Sequence, residues 1–153
     1  MKKNIIISLA LLLFLGCTKE NNTTNPNATN CIEGQLDEVV NANQIVGEWK
    51  LLRTKSYLFE NDYTAENIIY NFQSNGNLIV SGGENIGGFP NGTYSYVFDL
   101  DYLSNSENPN EPMIWIVKID GLKWTYASQN DLMIIGQSYV DGADLCFEKV
   151  QNN

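Results

Sequence analysis

Few side chains in this chain of 153 residues are equipped for chemistry, and histidine is absent. Its absence removes the commonest general base, the usual metal ligand and every Ser-His or Cys-His nucleophile pair. Three thiols remain, at Cys17, Cys31 and Cys146. Carboxylates gather in DLDYLSNSENPNEP, residues 99–112, which holds Asp99, Asp101, Glu107 and Glu111. Calcium needs about six to eight oxygens, and this spacing matches no calcium loop, so the stretch reads as a solvated loop with no metal ligand. Asp141 and Asp144 in DGAD are equally well explained by a turn. The glycine-rich SGGENIGGFPNG, residues 81–92, lacks the strand–loop–helix setting and the Lys-Ser/Thr ending of a phosphate cradle. It reads as a loop and candidate lid whose one aromatic group to present is Phe89. No nucleophile stands at a recognisable spacing from a base. No catalytic residue, cofactor or metal is assigned, and the expectation is a protein that is not an enzyme.

The first thiol sits at a join. Two lysines precede IIISLALLLFL, residues 5–15, which is too short for a bilayer whose crossing takes ~20 residues of helix. A basic start, a short apolar run and a small residue at the exit describe a secretory signal over residues 1–16. Phe14-Leu15-Gly16-Cys17 resembles the lipobox of bacterial lipoproteins. The resemblance implies cleavage before Cys17, lipid on its sulfur and acylation of the new amine. At ~0.8 kcal/mol per buried CH₂, two or three chains hold stably where one does not. Thr18 rather than aspartate follows the cysteine, which in that family implies an outer-membrane address, on its periplasmic or surface face. Residues 17–30 then form the lipidated cysteine and a disordered tether, rich in Asn and Thr and without a large apolar side chain. Such a leash spans roughly 20 Å as a coil and about 45 Å fully stretched.

With Cys17 given to lipid, Cys31 and Cys146 remain, and in an oxidising compartment such a pair tends to bridge. The alternative is two buried free thiols. In the segment that opens at Cys31, Ile32, Leu36, Val39 and Val40 fall at helical spacing, so a short N-terminal helix is expected to cap one end of the fold.

Residues 31–153 form the expected domain. An apolar fraction of 43% and an aromatic fraction of 11% suffice for one core. Loss of Lys2 and Lys3 with the signal leaves 7 basic against 18 acidic side chains, a net −11. Such a surface repels phosphate backbones, so nucleic acid is not an expected partner. A monomer is expected.

Short alternating runs punctuated by turn residues predict eight antiparallel strands: 45–55, 68–73, 77–81, 93–99, 113–119, 122–127, 132–137 and 144–150. Evenly spaced short strands indicate an all-β protein, an eight-stranded up-and-down barrel with a β-sandwich as the alternative. The Asp-Gly in IDGL is a two-residue hairpin signal that sets Ile119 opposite Leu122 and Val117 opposite Trp124. It also leaves Lys118 facing Lys123 in solvent. In FQSNGNL, a three-residue loop with Gly76 left-handed pairs Phe72 with Leu78 and keeps one face apolar. The inward set then runs through Trp49, Tyr70, Phe72, Leu78, Val80, Tyr94, Tyr96, Phe98, Trp115, Val117, Trp124 and Tyr126 to Leu132, Ile134, Leu145 and Phe147.

These strands resemble the small lipocalin-like domains of many bacterial lipoproteins. The resemblance lies in IVGEWKL for the opening Gly-x-Trp strand, YNFQSNGNLIV for the second hairpin, and NGTYSY, NDLMII and DLCFEKV for later strands. It implies that Gly47 lets the chain pass close at the barrel base and that Trp49 plugs that end. Lipocalins carry an arginine near the last strand that packs over this tryptophan, and the nearest candidate here is Lys149. The resemblance also implies a small apolar ligand in the barrel mouth, contacted by Tyr70, Tyr94, Tyr96, Trp115, Trp124 and Tyr126. Against it stands a barrel filled by those same aromatics, serving as a structural module whose loops contact envelope proteins.

Overall fold

Residues 44–84, 88–104, 110–129 and 131–151 are described by a computed structural model. The expected signal and leash, Cys17, Cys31, the helix expected within residues 31–43, and Glu107 lie outside the described residues.

Alternating side chains become the two faces of one antiparallel sheet. Its strands are β1 (Gly47–Lys55), β2 (Glu60–Asp62), β3 (Ile69–Phe72), β4 (Asn77–Ser81), β5 (Gly92–Asp101), β6 (Ile114–Ile119), β7 (Leu122–Gln129), β8 (Leu132–Gly136) and β9 (Asp144–Lys149). From β3 to β9 each strand pairs with its sequence neighbour, β3 pairs with β1, and β1 pairs with β9. That last ladder closes eight strands into a barrel and excludes the sandwich. The ninth strand, β2, is an extra one on the outside of the count. All three of its residues are exposed, so it had no apolar pattern by which a sequence reading could find it. β1 serves both β2 and β3 by changing neighbours along its length: Gly47 to Lys50 face β3, and Arg53 to Lys55 face β2. A bulge between Leu51 and Arg53 marks the change.

The turns set the registers. Asp120 (φ 47°) and Gly121 (φ 84°) form the two-residue hairpin, and Val117 faces Trp124 as expected. Gly76, at φ 86°, completes the three-residue loop, so Phe72 faces Leu78 and Tyr70 faces Val80. One expectation is corrected. Leu132 and Ile134 do not face the core: Met133 and Ile135 do, each at 0% exposure. Asp131 (φ 63°) closes a tight turn that pairs Gln129 with Leu132 and Tyr126 with Ile135. The run Leu-Met-Ile-Ile is apolar on both faces, so only its partner strand could choose the inward set.

Trp49 and Lys149 lie together at the barrel end nearest the β3–β4 turn. Trp49 is 3% exposed, and its indole N–H donates to the Ile45 carbonyl at 2.7 Å. The Lys149 ammonium lies 4.2 Å from the centre of the Trp49 ring and donates to the Val46 carbonyl at 2.7 Å. Gly47 holds φ at +126°, and a Cβ there would come within 2.8 Å of Lys149 Nζ. Glycine at this position thus serves both the backbone and the lysine. Between the ends, Phe72, Leu78, Met133, Leu145 and Phe147 fill the interior with no exposure.

Candidate functional site

The six aromatics expected to line one pocket separate into three groups. Tyr96, on β5, packs edge-on against Phe72 at 5.1 Å and donates its hydroxyl to the Gln73 carbonyl at 2.8 Å. It therefore braces the β3–β4 turn. Trp115 and Tyr126 flank Phe98, with ring centres 4.8 and 4.6 Å away. Tyr70, Tyr94 and Trp124, from β3, β5 and β7, converge at the other end, where the β4–β5 connection crosses the barrel.

That convergence is organised by Phe89. Its ring lies 6.4 Å from Tyr70, 5.1 Å from Tyr94 and 5.4 Å from Trp124. Aromatic pairs at such separations and tilts attract beyond their area alone. Two tyrosine hydroxyls fix the backbone around it. The Phe89 N–H donates to Tyr70 Oη at 3.0 Å, and Tyr94 Oη donates to the Pro90 carbonyl at 2.7 Å. The Gly83 N–H donates to Asn91 Oδ1 at 2.8 Å and ties the two limbs of the connection. The glycine-rich stretch thus sets its one aromatic side chain among Tyr70, Tyr94 and Trp124.

Polar groups in this mouth are sparse. Burial pushes the Tyr70 hydroxyl up to about 12, with the Phe89 N–H opposing in part, so it stays neutral at physiological pH. Trp124 is 7% exposed, and its Nε1–H is buried without an acceptor among the described residues. An orphaned donor of this kind costs about 1–3 kcal/mol. A ligand bearing an acceptor would satisfy this donor.

The described carboxylates of the acidic stretch, Asp99, Asp101 and Glu111, lie outside the core instead. Asp101 Oδ2 lies 2.8 Å from Lys118 Nζ and 3.2 Å from Lys123 Nζ. One carboxylate therefore bridges the two lysines that the hairpin sets face to face. The Lys118 ammonium first, then the Tyr102 N–H and Lys123, hold the Asp101 carboxyl down at about 2. Lys123 also donates to the Tyr102 carbonyl at 2.6 Å. This network fastens a loop to the barrel wall, a role that Asp101 did not advertise in sequence because its partners lie on the following hairpin. Glu111 accepts from the Ser104 N–H at 2.9 Å within the same loop. Among the described residues no group of three or more Cys, Asp or Glu side chains could hold a metal ion.

Cys146 is 5% exposed on β9, opposite Arg53 on one side and Ile134 on the other. Its expected partner, Cys31, lies outside the described residues. At the Trp49 end, a cleft of about 290 Å³ between Gln44, Trp49, Asp131 and Lys149 is polar and unlike the aromatic mouth. Gln44 donates there to Ser128 Oγ at 2.6 Å. No family model, curated protein or solved structure matches this chain.

Proposed function

We propose that this protein is a lipid-anchored, lipocalin-like barrel of the outer membrane that takes a small apolar ligand at its mouth. Phe89, seated among Tyr70, Tyr94 and Trp124 beside an unmatched indole N–H, is the observation that carries the reading. In this reading Phe89 is a plug that a ligand ring displaces, and Trp124 Nε1 donates to the ligand's acceptor. The arrangement of Gly47, Trp49 and Lys149 supports the lipocalin-like resemblance. Cys17 carries the lipid, Cys31 bridges to the buried Cys146, and the protein acts as a monomer without catalysis. The anchored barrel meets its ligand outside the cytoplasm.

The test is a titration of the purified protein with N-phenyl-1-naphthylamine, a neutral dye that brightens in apolar surroundings. Phe89→Ala should tighten dye binding by vacating the mouth. Separately, Trp124→Phe should weaken a naphthyl ketone about 2- to 12-fold, since a net hydrogen bond is worth ~0.5–1.5 kcal/mol. It should leave the matching alkylnaphthalene unaffected. No binding by either the unsubstituted protein or Phe89→Ala would sink the ligand reading. The second reading, an interaction module with a solid core, is favoured by the filled interior around Phe72, Leu78, Met133 and Phe147. A silent titration would leave that reading standing.

A further inference from the structure

Three consecutive large apolar side chains stand in solvent at the turn between β1 and β2. Tyr57 is 95% exposed, Leu58 73% and Phe59 68%. No other described stretch presents three such side chains in a row. β2 has β1 as its one neighbour, so the β1–β2 hairpin forms an arm at the edge of the sheet, its β1 side still paired to β9 through Lys55. The turn is closed on itself. The Ser56 N–H donates to the Phe59 carbonyl at 2.7 Å, and the Phe59 N–H donates to Ser56 Oγ at 3.2 Å. Residues 56–59 carry no charge, and in the stem below them Arg53 is paired with Glu60 at 2.7 Å.

We propose that Tyr57, Leu58 and Phe59 form a tip that inserts into the lipid bilayer and orients the barrel on it. The proposal rests on the lipid-anchor reading of Cys17 and the Cys31–Cys146 bridge. Cys146 pairs with Arg53 across the β1–β9 ladder, two residues before the end of β1. A bridge from Cys31 to Cys146 therefore makes the leash leave the domain beside the arm. A leash of residues 18–30, roughly 20 Å long as a coil, then holds this side of the barrel near the membrane. The acyl chains on Cys17 hold the protein on the membrane, and the inserted side chains fix which side of the barrel faces it.

Lipid suits the tip better than a protein partner does. An aromatic side chain buries about 150–250 Å², so three side chains supply on the order of 500 Å². A specific protein interface takes roughly 600 Å² or more, and typically about 800 Å², from each partner, more than the tip offers. A turn whose own hydrogen bonds are closed also brings fewer unmet backbone groups into an apolar layer. The net charge of −11 left after loss of Lys2 and Lys3 favours zwitterionic over anionic headgroups.

The experiment places the full lipidated chain, with and without Tyr57→Trp, on phosphatidylcholine vesicles whose acyl chains carry bromine. The difference in emission between the two proteins reports the tip. The expected result is that the chain sediments with the vesicles, that the added emission is quenched, and that Leu58→Asp with Phe59→Asp abolishes the quenching. If the chain sediments and the added emission is not quenched, the tip faces water. The proposal is then overturned while the anchor reading stands. If the chain does not partition into membranes, the anchor reading fails, and the same quenching at high vesicle concentration decides the tip alone. Quenching there supports insertion, and its absence overturns it.

Discussion

Gly47 and Lys149 show how one backbone position and one side chain can depend on each other. The lysine fills the space that a Cβ at residue 47 would take, and φ there is one that L side chains rarely adopt. Gly47→Ala should therefore destabilise the barrel by about 1–3 kcal/mol, read as a lower urea midpoint. Desolvation lowers the Lys149 pKa, so its place over Trp49 is one of packing at a cost in charge solvation. Asp101 works in the opposite sense. Its carboxyl is held at about 2, below the ordinary 3.8, so the unfolded chain binds that proton more tightly than the folded one. Its contribution is complete above the ordinary carboxylate pKa and is lost as pH falls through about 2. Asp101→Asn should flatten the acid side of the stability profile across that window and leave the neutral region's slope unchanged. Acid titrations of the two proteins, followed by tryptophan emission, check this. The Gly-x-Trp pattern made Gly47 legible in sequence. Asp101 was not, because its worth depends on two lysines brought together by a hairpin.

At the scale of elements, the hairpins with explicit turn chemistry were readable and the others were not. Asp120-Gly121 and Ser74-Asn75-Gly76 each admit one register that keeps an apolar face intact, and those registers are the ones found. The β7–β8 hairpin carries no such signal, since β8 is apolar on both faces. Its register follows from Tyr126 facing inward and pairing with Ile135. Met133→Ala should accordingly cost about 2–5 kcal/mol, as a fully buried side chain does. Ile134→Ala, on the half-buried outer face, should cost clearly less. Urea denaturation of the two variants side by side measures the difference, and equal losses would contradict the register. The arm made by β1 and β2 escaped a pattern-based reading for a related reason. Glu60, Asn61 and Asp62 bury nothing, and backbone pairing to β1 is all that makes them a strand.

For the whole molecule, closure matters most. The β1–β9 ladder joins the two ends of the described chain, so the first and last strands share one wall. A bridge from Cys31 to Cys146 would staple the entry of the chain to that same wall. In the chain-entropy model, closing a loop of ~100 residues contributes as much as ~4.7 kcal/mol. The purified, unreduced protein should then take up no alkylating reagent at these two cysteines and should gain two adducts after reduction. Intact-mass measurement reads both. Adducts without reductant would show free thiols and would remove the geometric link between leash and arm. A reduced protein that unfolds at a lower temperature would place the staple among the contributors to stability.

Local chemistry alone determined the strand count of the barrel, two of its turns and the likeness of residues 14–17 to a lipidation signal. Each of these depends on neighbours a few residues apart, where periodicity, turn residues and run length already constrain the chain. The tertiary structure decided what depends on residues far apart in sequence. It chose barrel over sandwich by pairing the first strand with the last, and it turned Met133 and Ile135 inward rather than Leu132 and Ile134. It also divided six aromatics into three separate groups and set Phe89 among three of them. Side chains of one type and one face look alike in sequence, and only the curvature of a closed sheet determines which of them meet.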